Sequence, residues 1–140
     1  MPNCVILVGP PCSGKTTYCK TSEELKGYVR ISQDDLGRVE CDKLFNQCIT
    51  DGKDVVIDRM GFNKVQRGRF ISVAKKANYF VKVINFQTAR NVCLARAEER
   101  VDHPTLKAED APRVIQFFYS SYEEPSFDEG IDLITNFWST

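Results

Sequence analysis

Cys4-Val5-Ile6-Leu7-Val8-Gly9-Pro10-Pro11-Cys12-Ser13-Gly14-Lys15-Thr16-Thr17 decides the architecture. Five apolar residues run without a polar break and stop at Gly9-Pro10-Pro11, the pattern of a short strand buried on both faces. Thr16 to about Lys26 then reads as a helix stopped by Gly27. Further strands are expected over Tyr28–Ser32, Asp54–Asp58, Tyr79–Phe86 and Ile131–Ile134. Helices are expected over Leu36 to Thr50, from Val65 to Ala77 with Val65, Phe70, Val73, Ala74 and Ala77 inward, and from a Thr88 cap to Arg100 with Val92, Cys93 and Ala97 inward. A break at Val101–Thr105 precedes a last helix over Ala108–Tyr122, whose apolar face is Val114, Phe117 and Phe118. Strands alternating with helices predict an α/β fold: a parallel sheet of about five strands covered on both faces.

The 140 residues support one domain, 1–140, with a single core. No apolar run approaches the roughly 18 residues of a membrane span, and Met1-Pro2-Asn3-Cys4 lacks the basic start of a secretory signal. An intracellular protein, cytoplasmic or nuclear and without a membrane partner, is expected. The six cysteines contain no Cys-x-x-Cys pair and read as buried reduced thiols; with His103 the only histidine, no zinc-ligand spacing exists.

Net charge is zero, but its distribution is uneven. Residues 59–97 carry nine Lys and Arg (Arg59, Lys64, Arg67, Arg69, Lys75, Lys76, Lys82, Arg90, Arg96) and no Asp or Glu. Lys75, Lys76 and Lys82 read as solvated helix and strand positions; the rest make a face suited to a polyanion.

Gly9 to Thr16 fits G-x-x-x-x-G-K-[ST] between a predicted strand and a predicted helix, the setting in which backbone N–H groups converge on phosphate oxygens. The pattern predicts a nucleoside triphosphate site, with Lys15 on the β- and γ-phosphates and Thr16 on Mg²⁺. Gly9, Pro10, Cys12, Ser13, Gly14 and Thr17 complete the loop contacts. Asn63-Lys64-Val65-Gln66 lacks the Asp of a guanine-reading motif, and an AAA-type or helicase motor is expected to need more chain than this. A small phosphotransferase remains.

In parallel sheets ligands sit beyond the carboxyl ends of the strands. Asp34 follows the second strand and is the expected base for an attacking hydroxyl, with Asp35 available to cap the next helix. Val55-Val56-Ile57-Asp58 resembles a Walker B strand, so Asp58 either helps hold metal through water or orients the acceptor. Arg96 and Arg100, four apart, share a helix face before the break, as a lid that neutralises the transferred phosphoryl group requires.

Together these residues resemble the polynucleotide 5′-kinase family, ATP-dependent kinases of 5′-hydroxyl ends of RNA or DNA. The resemblance runs through Gly9–Thr16, Ile31-Ser32-Gln33-Asp34-Asp35-Leu36-Gly37, Val55–Asp58, Gln66-Arg67, Arg96-x-x-x-Arg100 and the Glu124-Pro125 and Glu129-Gly130 tail. It implies a P-loop kinase fold in which Lys15, Asp34 and Arg100 are catalytic, Arg96 and Arg100 are lid arginines, and Asp58 lies near the acceptor nucleotide. The cofactor implied is Mg²⁺, ATP is the donor, and a nucleic-acid 5′-OH end is the substrate. Two departures stand out. The acceptor arginine expected three residues after Asp34 is Gly37, with Arg38 adjacent. The usual Asp-x-Thr-Asn is Asp58-Arg59-Met60-Gly61, so Arg59, Asn63 and Arg67 are expected to take over acceptor contacts, beside Asp35 and Arg38. No Asp-x-Asp-x-Thr phosphatase motif is present, which leaves phosphatase or ligase steps to a separate partner. The rival readings are a kinase of a nucleoside or other small metabolite and an ATP-gated nucleic-acid binding module.

Overall fold

The computed structural model describes residues 1–32, 36–99 and 110–138. Five strands form one sheet: β1 (Asn3–Val8), β2 (Val29–Ile31), β3 (Val55–Asp58), β4 (Phe80–Phe86) and β5 (Leu133–Phe137). All pairs are parallel and the order is β2-β3-β1-β4-β5. The expected α/β sheet is the observed one.

The apolar runs become central strands because both faces are covered. Cys4, Ile6, Val8, Val55, Ile57, Val81 and Val83 project to one face, where they meet Phe45 of α2 (Arg38–Thr50) and Phe70 and Ile71 of α3 (Lys64–Lys76). Val5, Leu7, Val56, Ile84 and Phe86 project to the other, against Cys19 and Tyr18 of α1 (Lys15–Thr21) and against Leu25. A smaller cluster joins α4 (Arg90–Glu99) to α5 (Ala111–Ser121) through Cys93, Ala97, Ala111 and Ile115, and Cys12 packs against it. The strand register sets the ends level: Leu7 pairs with Asp58, Ile31 with Ile57, and Val8 with Asn85.

Several expected boundaries and faces shift. The first helix ends at Thr21, because Ser22 turns extended and a short 3-10 turn, Glu23–Leu25, takes over. In α3 the buried stripe is Arg67, Phe70, Ile71 and Ala74, while Val65 is 78% exposed. In α5 the inward face is Ala111, Ile115 and Phe118, whereas Phe117 is half-exposed and packs edge-on against Phe62. The last strand begins at Leu133, because the Asp132 carboxylate accepts from the Val81 N–H and from Lys75 and so ends the loop. The expected break at Val101–Thr105 lies outside the described residues.

Five cysteines are buried, Cys12 is half-buried, and all six are free thiols. Among the described residues no helix is long and apolar enough to cross a membrane, and no group of three His, Cys, Asp or Glu side chains converges on a metal position.

Candidate active site

The loop after β1 is built by backbone constraint. A Cβ on Gly9 would stand 2.7 Å from the Ser13 Oγ and 3.0 Å from the Phe86 Cβ, so only glycine closes the turn without displacing that hydroxyl. Cys12 (φ 65) and Gly14 (φ 101) both take the left-handed conformation, which turns successive N–H groups toward a common concavity. The Gly9 N–H donates to the Met60 carbonyl at 3.0 Å and so ties the loop to the end of β3. Lys15 is 8% exposed; its Nζ donates to the carbonyls of Gly9 (2.6 Å) and Pro10 (3.0 Å), which holds the ammonium within the loop.

Thr16 and Asp58 meet because β3 lies beside β1. The Thr16 Oγ1 donates to the Asp58 Oδ2 at 3.2 Å, and Arg30 donates to the same oxygen from Nε (2.8 Å) and Nη2 (2.7 Å). A buried carboxylate is thereby paired and hydrogen-bonded, as its desolvation demands. Sequence reasoning missed Arg30; the available signal was a lone charge inside the short strand Val29-Arg30-Ile31. Cys19 lies behind this pair, and burial, reinforced by Asp58, pushes its thiol up to about 11.

The opposite wall comes from α4 and α5. Arg96 Nη1 donates to the Cys12 carbonyl at 3.1 Å, so the helix expected to carry the lid arginines does reach the loop. Thr88, expected as a helix cap, has another job: α4 begins at Arg90, and the Thr88 hydroxyl donates to the Ser13 carbonyl at 2.8 Å. The Tyr119 hydroxyl donates in turn to the Thr88 carbonyl at 2.7 Å, and its pKa is pushed up to about 12, chiefly by burial.

The expected acceptor residues divide. Arg38 is exposed at the start of α2. Arg59 is half-buried with its guanidinium 5.5 Å from the Phe70 ring centre. Two other assignments are corrected. Asn63 is the N-cap of α3: its side chain accepts from the Gln66 N–H (2.8 Å), while the Gln66 Oε1 accepts from the Phe62 N–H (3.2 Å). Arg67 has no exposure. Its Nε and Nη2 donate to Glu129 at 2.9 and 3.1 Å and its Nη1 to the Gly61 carbonyl at 2.7 Å, so the guanidinium is spent on holding the β3–α3 turn to the tail. Asp34, Asp35 and Arg100 lie outside the described residues. Ser32 and Leu36, which flank the two aspartates, are joined by a Leu36 N–H to Ser32 carbonyl bond of 3.2 Å at the end of β2.

The rim fits a triphosphate and a hard divalent cation. Among the described residues the buried side-chain atoms without a hydrogen-bond partner are the Ser13 and Ser32 hydroxyls, both beyond the strand ends. The Thr16 hydroxyl and Asp58 carboxylate supply the hard oxygen donors that Mg²⁺ prefers.

Residues 38–125 match the family model described as AAA domain, a stretch that begins after the phosphate loop. Chain length therefore does not exclude this AAA-type family, contrary to the sequence expectation. A protein named transcription factor bHLH140 from Arabidopsis thaliana is 30% identical over 93% of this chain and 15% of its own length. A bifunctional polynucleotide phosphatase/kinase from Schizosaccharomyces pombe is 28% identical over 90% of this chain and 31% of its own length. A protein provisionally given the same description, from Acanthamoeba polyphaga mimivirus, is 29% identical over 93% and 32%. The chain thus spans a third or less of these relatives, and the likeness to polynucleotide kinases read from the motifs is met in two of them. A gluconokinase from Sinorhizobium meliloti shares the fold at a TM-score of 0.66 and 15% identity, covering 98% of this chain and 82% of that one.

Proposed function

The chain belongs to the AAA domain family, and on that footing we propose that it is an ATP-dependent polynucleotide 5′-kinase. The observation that carries this reading is the convergence on one sheet rim of the Lys15 loop, the Thr16–Asp58–Arg30 set and Arg96, in a chain similar to two proteins described as polynucleotide phosphatase/kinases.

In this reading the loop N–H groups, Lys15 and Arg96 hold the triphosphate, and Thr16 and Asp58 hold Mg²⁺, which when bound screens the phosphate charge. Asp34, carried on the segment between Ser32 and Leu36, takes the proton of the acceptor 5′-hydroxyl as that oxygen bonds to the γ-phosphorus. The bond from phosphorus to the β–γ bridging oxygen breaks and ADP leaves. Arg96 and Arg100 stabilise the negative charge on the phosphoryl group in flight. Arg38 and Arg59 take phosphate oxygens of the acceptor.

The test is transfer of labelled γ-phosphate from ATP to a panel of 5′-OH oligonucleotides, nucleosides and sugars. Oligonucleotide labelling is expected. Asp34→Asn is expected to lower it roughly 10²–10⁴-fold, the range for loss of a general base, with ATP binding retained. Labelling of nucleosides or sugars alone would assign the chain to small-metabolite kinases, and oligonucleotide binding with no transfer would make it an ATP-gated binding module.

A further inference from the structure

Between α2 and α3 lies a groove of about 280 Å³ walled by Arg38, Asp42, Phe45, Asn46, Arg69 and Phe70. Arg59, which follows Asp58 directly at the end of β3, reaches the same Phe70 ring from beside the groove. The Arg59 and Arg69 guanidiniums sit 5.5 and 5.2 Å from that ring's centre. An aromatic ring under each guanidinium fixes its plane while leaving its N–H edge directed outward. Asp42 pairs with Arg69 and is the one carboxylate in the wall. Among the described residues, neither Arg38 nor Arg59 has a carboxylate partner. Two arginines held on one ring and the exposed Arg38 thus gather around one carboxylate; burial first, then repulsion from Arg69 and Arg38, pulls Arg59 below the usual arginine range against the opposing pull of Cys41 and Asp42.

We propose that this groove binds a backbone phosphodiester of the acceptor strand, at least one nucleotide 3′ of the reacting end. The proposal rests on the 5′-kinase reading for its substrate class. Planar guanidiniums match phosphate oxygens in pairs. A bound phosphate would relieve the repulsion among Arg38, Arg59 and Arg69 and would compete with Asp42 for Arg69. Phe45 and Phe70 are both 3% exposed, so the aromatic rings support arginines and offer no face to a base. The groove therefore reads strand length and not sequence.

The experiment uses the full chain with a 3′-fluorescein 5′-OH oligonucleotide of about ten nucleotides, followed by anisotropy across a salt series, beside transfer kinetics on that oligonucleotide and on a nucleoside 3′-monophosphate. Arg69→Gln is expected to weaken oligonucleotide binding roughly five- to tenfold at low salt. It should also flatten the slope of log K against log salt by about 0.7, the value for one single-strand phosphate contact. The KM for the nucleoside 3′-monophosphate should stay where it was. Asp42→Asn, which frees Arg69 from its competitor, is expected to tighten oligonucleotide binding about two- to threefold. A pair that merely braced α2 to α3 would give both variants the same sign, and that result overturns the proposal. So does an equal KM change on both acceptors, an unchanged salt slope in Arg69→Gln, or no oligonucleotide binding by the unaltered chain. Oligonucleotide transfer that ignores Arg69→Gln would remove the groove and leave the kinase reading standing, whereas transfer confined to nucleosides would remove both.

Discussion

Arg67 shows how far a residue's type underdetermines its role. It belongs to the acidic-free block 59–97 and reads as an exposed phosphate contact, yet it has no exposure and is held bidentately by Glu129, 62 positions away. The sequence does contain the signal: positions 67, 70, 71 and 74 are one helical stripe, and the other three members are apolar. What it does not contain is the partner, because Glu129 arrives from the far end of the chain. A buried charge stripped of its partner is expensive, so Glu129→Gln should lower stability by about 3–5 kcal/mol. Arg67→Met/Glu129→Leu together should cost less than Glu129→Gln alone, because no charge is then left stranded. Urea midpoints of the single and double variants decide it. The half-exposed Lys75–Asp132 pair gives the contrast: Lys75→Met should cost no more than about 1 kcal/mol.

At the scale of elements, the phosphate loop is strapped from behind by a relay in which Tyr119 on α5 donates to the Thr88 carbonyl and the Thr88 hydroxyl donates to the Ser13 carbonyl. Sequence patterning found α4 and α5 but misassigned Thr88, because a threonine just ahead of a helix looks the same whether it caps that helix or reaches across to a loop. The strands were more legible. Residues 4–8 and 55–57 are continuous apolar runs because central parallel strands are covered on both faces, and 80–86 is apolar apart from Lys82 and Asn85. The edge strand β5 shifted by two residues, since its half-exposed positions carry a weak pattern. The helix faces shifted where one neighbouring element, not periodicity, decides which side is covered. The strap has a measurable consequence. Thr88→Val removes one hydrogen bond worth about 0.5–1.5 kcal/mol, and the loss falls on the loop that holds phosphate. ATP affinity should drop roughly two- to tenfold by calorimetry. Thermal unfolding should move by only a few degrees, about what 1 kcal/mol does to a domain of this size.

Over the whole molecule, the site exists because the sheet order sets β1 between β3 and β4, so that the ends of strands distant in sequence stand side by side. The loop motif announced β1 and its helix; no local pattern announced that Thr16 and Arg30 would both donate to one Asp58 oxygen, which follows only from that order. The same buried sheet has a consequence for pH. Burial in β1 pushes the Cys4 thiol up to about 12, and Cys19 beneath the sheet stands at about 11, against an ordinary value of 9.0. Below pH 9 both thiols are protonated, folded or unfolded, and stability does not depend on them. Above it the unfolded chain releases protons that the folded chain keeps, so the unfolded state gains on the native one until the folded thiols ionise in turn. Stability should therefore hold level up to about pH 9 and then fall by about 1.4 kcal/mol per pH unit for each thiol. Urea midpoints at pH 8, 9 and 10 under reductant measure this slope. Cys4→Ala/Cys19→Ala will lower stability at every pH through the volume it removes, but its decline between pH 9 and 10 should be shallower than that of the unaltered chain. An equal decline in both proteins would show that the two thiols do not govern alkaline unfolding.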